Sequence, residues 1–337
     1  VPTLDFETFL GMWDGNYFGW TVENLYIRGF DWSITMFFTT GSDFHGVSIR
    51  NNLIMMPADE PGNYGADIGE PWQNVAIHMA GGHDQTVEGN EIIIPGDALA
   101  DTTDPEVPLK AASVALQSNT HGGDRYDGLR IVDNTIRITG AQSADPEWVY
   151  GIWENGHAHT SDIEVSGNSF VNENPANDPA LNLQRALRVT SHSSEETTVI
   201  YADNVVDGAN IGIHWLGDTY TSKPPASVLP VVVVGNTLLG NDTAVWVHTD
   251  DLEPPDKAGA KFTGPSYMSK AVLIYNRIAG NAVGVRSDDA EVKAKDNWWG
   301  CNEGPNTVDC DSAEYNGSYG FLDTDTWIEL GLSAVPD

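Results

Sequence analysis

An eight-residue phrase returns along the whole chain: apolar, any, apolar, any, any, Asn, any, apolar. Clean copies are Val47/Ile49/Asn52/Ile54, Leu129/Ile131/Asn134/Ile136, Ile163/Val165/Asn168/Phe170, Val199/Tyr201/Asn204/Val206, Val231/Val233/Asn236/Leu238 and Ala271/Leu273/Asn276/Ile278. Weaker copies surround Asn90, which Gln85 opens, and Asn297, which contains Ala294; a third carries Phe30 where Asn is expected. The key positions are therefore 30, 52, 90, 134, 168, 204, 236, 276 and 297, with the shortest steps, 22 and 21 residues, at the two ends. Self-similarity on this scale means stacked units rather than one globule. Apolar residues two apart are strand periodicity. A second alternating strand follows most phrases, as at Val75/Ile77/Met79, Val114/Leu116, Leu187/Val189, Ile211/Ile213, Val245/Val247 and Val283/Val285.

Two or three short strands per unit of about 21 residues predict an all-β, single-stranded right-handed parallel β-helix of about nine coils. At the ordinary strand spacing such a rod is roughly 40 Å long. Leucine-rich repeats want Leu at fixed places and a helical turn in each unit, and propeller blades need four strands in about 40 residues. Neither suits Val- and Ile-rich units this short. Asn at the turn tolerates left-handed backbone, and stacked amides can bond to one another along a rod. The steps of 32–44 residues leave insertions at 55–74, 95–111, 139–148, 172–184, 217–229 and 249–269, expected as long loops on one side of the rod.

Asp296-Asn297-Trp298-Trp299-Gly300 followed by Gly304-Pro305, taken with the repeat, resembles the closing coils of secreted right-handed β-helix repeat proteins of the pectin-lyase-like superfamily. The resemblance covers roughly residues 20–305. It implies the fold and leaves function open, since that superfamily includes polysaccharide lyases, glycosidases, epimerases, phage tailspikes and non-catalytic surface repeats.

The expected organisation is an N-terminal cap over residues 1–20, a β-helix over 21–300, and a disulfide loop with a capping or exit tail over 301–337. The two cysteines, Cys301 and Cys310, lie close enough in sequence to pair, which favours an oxidising compartment. No apolar run is long enough to span a membrane, and Val1-Pro2 reads as a processed start. The tail resembles exits that lead to further domains of a longer polypeptide. With 49 acidic against 16 basic residues and a net charge of −33, nucleic acid and anionic membranes are excluded as partners. Polyanionic sugars would need bridging divalent cations. Such a balance fits an extracellular or cell-surface protein, a salty habitat, a calcium-loaded surface, or simple solubility of a long rod.

Aligning the second strands by their apolar residues places His78, Gln117, Trp153, Thr190, His214, His248 and Arg286 in one outward column. Arg188 and Trp246 fall in a neighbouring column among small residues, namely Ala76, Ala115, Gly151, Gly212 and Gly284. Such a stripe suits carbohydrate, whose apolar face packs on aromatic rings while hydroxyls bond to His, Gln and Arg. A second cluster occupies the following turn: His83-Asp84, His121 with Asp124, His157 and His159 with Asp162, and His192. Transition metals need three or four converging ligands, which a column spread along a rod opposes. Asp218, Asp250-Asp251 and Asp288-Asp289 in the later turns suit Ca²⁺ or paired carboxylates for glycoside cleavage. Arg185 and Arg188, near His192 and His214, are the basic group that lyase chemistry would use. Against the glycosidase reading, Asn134-Thr135 is followed by Ile136 rather than Asp, and Gly156-His157-Ala158 stands where Gly-His-Gly is wanted. Three readings follow: non-catalytic binding of a polysaccharide or glycan in a loop-flanked groove; a Ca²⁺-assisted polysaccharide lyase or glycoside hydrolase; and a structural or adhesive module. None calls for an organic cofactor.

Overall fold

The computed structural model describes residues 8–13, 16–30, 32–37, 43–56, 73–80, 82–95, 112–120, 126–140, 149–156, 160–174, 184–190, 199–217, 230–249, 269–318 and 320–330. Its strands form four parallel sheets of ten, ten, eight and five strands, and strands adjacent in a sheet come from successive turns of the chain. This is the right-handed parallel β-helix that the repeat predicts. The front sheet runs from Thr8–Trp13 through Trp32–Phe37, Gln73–Ala80, Ala112–Thr120, Val149–Gly156, Gln184–Thr190, Ile211–Gly217, Thr243–Thr249 and Val283–Asp288 to Ala313–Asn316. The other ten-stranded sheet carries the second apolar residue of each phrase, and the eight-stranded sheet carries the residue that closes most of them. Among the described residues no helix is long and apolar enough to cross a membrane.

The asparagines stack as one internal ladder. Each of Asn52, Asn90, Asn134, Asn168, Asn204, Asn236 and Asn276 donates its Nδ2 to Oδ1 of the next, ending on Asn297, at 2.9–3.0 Å. The same Oδ1 accepts the backbone N–H of the previous rung, for instance Asn168 N to Asn204 at 2.9 Å. All eight amides are at most 2 % exposed. Immediately before each stands a residue in left-handed backbone, with φ between 54° and 68° at Asn51, Gly89, Asp133, Gly167, Asp203, Gly235, Tyr275 and Asp296. Asp and Asn reach that region through local hydrogen bonding and Gly through the lack of a Cβ. At Gly167 the choice is forced twice, because Asp133 Oδ1 of the rung below lies where a Cβ would stand.

Three features differ from the sequence reading. The first rung centres on Leu25, not Phe30: Leu25 N donates to Asn52 Oδ1 at 3.1 Å, as every later ladder residue does to its successor. Trp20/Val22/Leu25/Ile27 is the phrase with Leu in place of Asn. Each main sheet has ten strands rather than about nine, because Ala313–Asn316 and Phe321–Asp323, from the expected tail, pair on as a last rung. Thr8–Trp13, inside the expected cap, likewise pairs in parallel with Trp32–Phe37 as the first front strand. A shorter second ladder adjoins the main one: Ala209 N donates to Asn241 Oδ1, Asn241 Nδ2 to Asn281 Oδ1, and Asn281 Nδ2 to Asp311.

Cys301 and Cys310 are joined in a disulfide, with Cα atoms 5.3 Å apart. The bridge closes the loop that leads from Trp299 to Asp311. Trp299 is fully buried in the last coils and Asp311 ends the second ladder, so the cross-link ties down a segment that caps the hydrophobic interior.

Candidate functional site

The front sheet's register defines the outward column as Thr35, His78, Gln117, Trp153, Arg188, His214, Trp246, Arg286 and Glu314. His78, Gln117, Trp153, His214 and Arg286 thus stack as the sequence suggests. Arg188 and Trp246 join them, whereas Thr190 and His248 stand two residues further on, opposite Leu216. The error has a simple cause. A slip of two residues keeps every side chain on its own face, so alternation cannot detect it.

The small residues also lie elsewhere than expected. Ala76 and Ala115 belong to the main interior core, and a Cβ on Gly151 would strike the Phe170 ring inside the coil. They make room for the interior rather than a floor for a groove. The outward neighbour of the column is Val75, Val114, Tyr150 and Arg185. Val75, Val114 and Tyr150 form a second small apolar cluster against which Trp153 packs. Two of every four front-strand residues thus face away from the core, and many are nevertheless buried. His78, Gln117 and Arg188 are 5–7 % exposed and His214 only 2 %. Trp153, Arg185, Trp246, His248 and Arg286 are half-buried.

Within the column the π systems stack on one another. Trp153 lies 4.9 Å from Tyr150, and the Arg188 guanidinium sits 5.0 Å from the Trp153 ring. Trp246 stacks with His214 at 5.0 Å and His248 at 5.1 Å, and Arg286 lies 4.7 Å from its centroid. The rings are engaged mainly with each other, so a ligand would meet edges, guanidinium N–H groups and imidazoles. Tyr150 Oη accepts Arg188 Nη1 at 2.6 Å and Arg185 Nη1 at 3.4 Å. Burial raises the tyrosine above its ordinary value, and burial lowers Arg185.

His214 is the anomaly. Burial, then Arg185, Arg188 and His248, holds it well below the usual histidine range, so it is neutral at neutral pH. A neutral imidazole offers one donor and one acceptor. Among the described residues neither ring nitrogen of His214 has a hydrogen-bond partner, at a cost of about 1–3 kcal/mol for each group. The unfolded chain takes up this proton near pH 6.5 and the folded chain only at lower pH, so stability is full above pH 6.5 and falls on acidification. Urea unfolding between pH 7 and 5, above the carboxylate range, should show a loss approaching about 1.4 kcal/mol per pH unit. That slope should vanish in His214→Gln; a flat profile in the parent chain would mean that His214 is solvated.

Other expected site residues make hydrogen bonds within the rod where they are described. His78 Nδ1 bonds the Met36 carbonyl at 3.0 Å. Asp288 Oδ2 accepts Trp246 Nε1 and Arg286 Nε, both at 2.9 Å. Asp289 is a left-handed turn residue whose Oδ1 accepts Ser318 N at 2.6 Å. Asp218, Asp250 and Asp251, like His121, Asp124, His157, His159 and His192, lie outside the described residues, as do most of the insertions. Glu303 stands beside Cys301 and Cys310, whose sulfurs are bonded to each other and cannot ligate a metal. Tyr150 and Asp288 were missed as partners of the column. No signal short of the register would have found them.

A scan against protein-family models, a search of curated proteins and a search of solved structures each returned no match.

Proposed function

We propose that this β-helix is a secreted or cell-surface protein that binds carbohydrate, without transforming it, along the front sheet around Trp153, Arg188, His214, Trp246 and Arg286. The single observation that carries the reading is His214, a buried neutral imidazole with an unused donor and an unused acceptor among guanidiniums and indoles. Two sugar hydroxyls, one accepting from the ring N–H and one donating to the other ring nitrogen, would satisfy both. With the rings stacked on one another, recognition rests on hydrogen bonds rather than on ring faces. The Asp296–Gly300 run and the disulfide support kinship with the secreted pectin-lyase-like proteins. Ca²⁺ bound through the acidic turns is compatible with the charge of −33.

A second reading is a polysaccharide lyase. The observation favouring it is that Arg188 and His214 are register partners beside Arg185 and Tyr150, a neutral base next to groups that neutralise a carboxylate. Purified protein should be incubated with a panel of neutral and acidic polysaccharides, with and without Ca²⁺. Binding is followed by calorimetry, and products as unsaturated sugars and reducing ends. Binding with no product, weakened at least about tenfold by Trp246→Phe or Arg286→Ala, supports the binding reading. Product formation establishes the lyase or hydrolase instead, and failure to bind any glycan leaves the structural or adhesive role.

A further inference from the structure

The ten-stranded sheet that lines the core with the repeated phrase also has an outer face, which the carbohydrate reading does not use. Over Val199–Ala202, Val231–Val234 and Lys270–Ile274 that face changes character. Val199, Tyr201, Val231, Val233, Ala271 and Leu273 point into the core. The alternate residues therefore point outward, and in three successive rungs they are Ile200 and Ala202, Val232 and Val234, Val272 and Ile274. All six are partly exposed. A strand such as Val231–Val234, apolar at every position, has the pattern of a parallel strand covered on both faces.

Charge bounds this patch on both sides. In the row of Ile200, Val232 and Val272, the rung before carries Glu164 and the rung after carries Lys293. One rung further out stand Arg130 and Asp323. Along the rod the row runs positive, negative, three apolar, positive, negative, so it is complementary to its own reverse. Arg130 Nε bonds Glu164 Oε2 at 3.0 Å, yet their side chains are 55 % and 40 % exposed and open to a further partner. The rim carries a second mark. Tyr275, 61 % exposed, occupies the left-handed turn position with φ of 59°, where the other rungs have Asn, Asp or Gly. A bulky residue is unfavourable there.

We infer that this face pairs with the same face of a second copy of the chain, the two rods lying antiparallel about a two-fold axis along Val231–Val234. Val232 then meets Val232 of the second copy, and Ile200 meets its Val272. Glu164 faces the second copy's Lys293, and Arg130 faces its Asp323. Tyr275 comes opposite the second copy's Asp203, whose carboxylate accepts from a phenol. Parallel rods would instead set each charged rung against itself, so the charge pattern selects the antiparallel arrangement. Packed sheets stand about 10 Å apart, within reach of side chains on both. Seven rungs span about 29 Å, so a strip about 10 Å wide covers roughly 300–400 Å² on each copy, against about 800 Å² in a standard interface. The pairing is accordingly weak and reversible.

Analytical ultracentrifugation of the full chain in about 0.3 M NaCl tests this, since repulsion between two chains of charge −33 is then screened beyond about 6 Å. The expected result is a monomer–dimer equilibrium with a midpoint between about 10 and 300 µM. Val232→Lys, on the axis and outside the core, should weaken it at least about tenfold. Glu164→Lys and Lys293→Glu should each weaken it alone, because each sets like charges opposite one another at both ends of the patch. An equimolar mixture of these two variants should associate within about threefold of the parent chain, since the mixed pair has opposite signs at both ends again. That recovery also shows that both variants fold. A chain still monomeric at about 1 mM, association unchanged in Val232→Lys, or a mixture no tighter than its components would each overturn the pairing.

Discussion

Replacing Asn204 with alanine is expected to destabilise the protein by about 3–5 kcal/mol, among the largest losses a single substitution causes. Its side chain is 1 % exposed and serves two neighbouring rungs. Oδ1 accepts Asn168 N and Nδ2 at 2.9 and 3.0 Å, and Nδ2 donates to Asn236 Oδ1 and the Val165 carbonyl, both at 2.9 Å. Truncation leaves the Asn168 N–H and the Val165 carbonyl without these partners in a dry interior and opens a small cavity as well. The ladder's direction predicts where substitution is tolerated. Every rung needs an acceptor for the rung before it, so the first rung needs none and the last needs nothing else. Leu25 opens the main ladder and Ala209 the second, while Asp311, an acceptor only, closes the second by receiving Gly280 N at 2.9 Å and Asn281 Nδ2 at 2.6 Å. Urea unfolding of Asn204→Ala beside Leu25→Ala should therefore show a severalfold larger loss at the central position. Equal losses would show that the amides are solvated and that the stack is not what holds the rungs.

The same logic explains what could be read from residues alone. The interior repeats at fixed positions because each rung repeats the same burial, and that made the coil and its asparagines legible. The first rung was hidden because it obeys the pattern in its apolar positions and departs from it only at Leu25, where chemistry no longer asks for an amide. The second ladder is foreshadowed by Gly240-Asn241 and Gly280-Asn281, but three members, the last an aspartate, make too short a series to stand out. The outward column was recovered in part. Period-two patterning reports which face a residue occupies and is blind to a two-residue displacement, so Arg188 and Trp246 were placed one step aside. Burial of the column was not legible at all. Outward alternation at His78, Gln117 and His214 reads as solvent exposure, whereas these side chains are 2–7 % exposed.

Raising NaCl from about 0.1 M to about 1 M is expected to raise the unfolding midpoint by roughly 10 °C, because screening shortens from about 10 Å to about 3 Å over that range. Two opposing effects are at stake. The described surface carries the pairs Arg50–Glu23, Arg130–Glu164, Arg137–Glu91, Arg137–Glu173, Lys270–Glu291 and Lys295–Asp323, which salt weakens. Exposed pairs of this kind contribute about 0–1 kcal/mol each. Against them stands a net charge of −33, whose repulsion acts across the whole rod and is strongest in the compact state. Sixteen basic residues cannot neutralise 49 acidic ones, so relief of repulsion wins and the sign is stabilising. The shape of the response identifies the cause. Screening saturates once its range is shorter than the spacing between charges, so the midpoint should level off near about 1 M. Preferential exclusion of salt from the surface would instead keep raising it steadily. A midpoint that falls on adding salt would mean that the ion pairs outweigh the repulsion, and a rise without a plateau would remove screening as the cause of the rise.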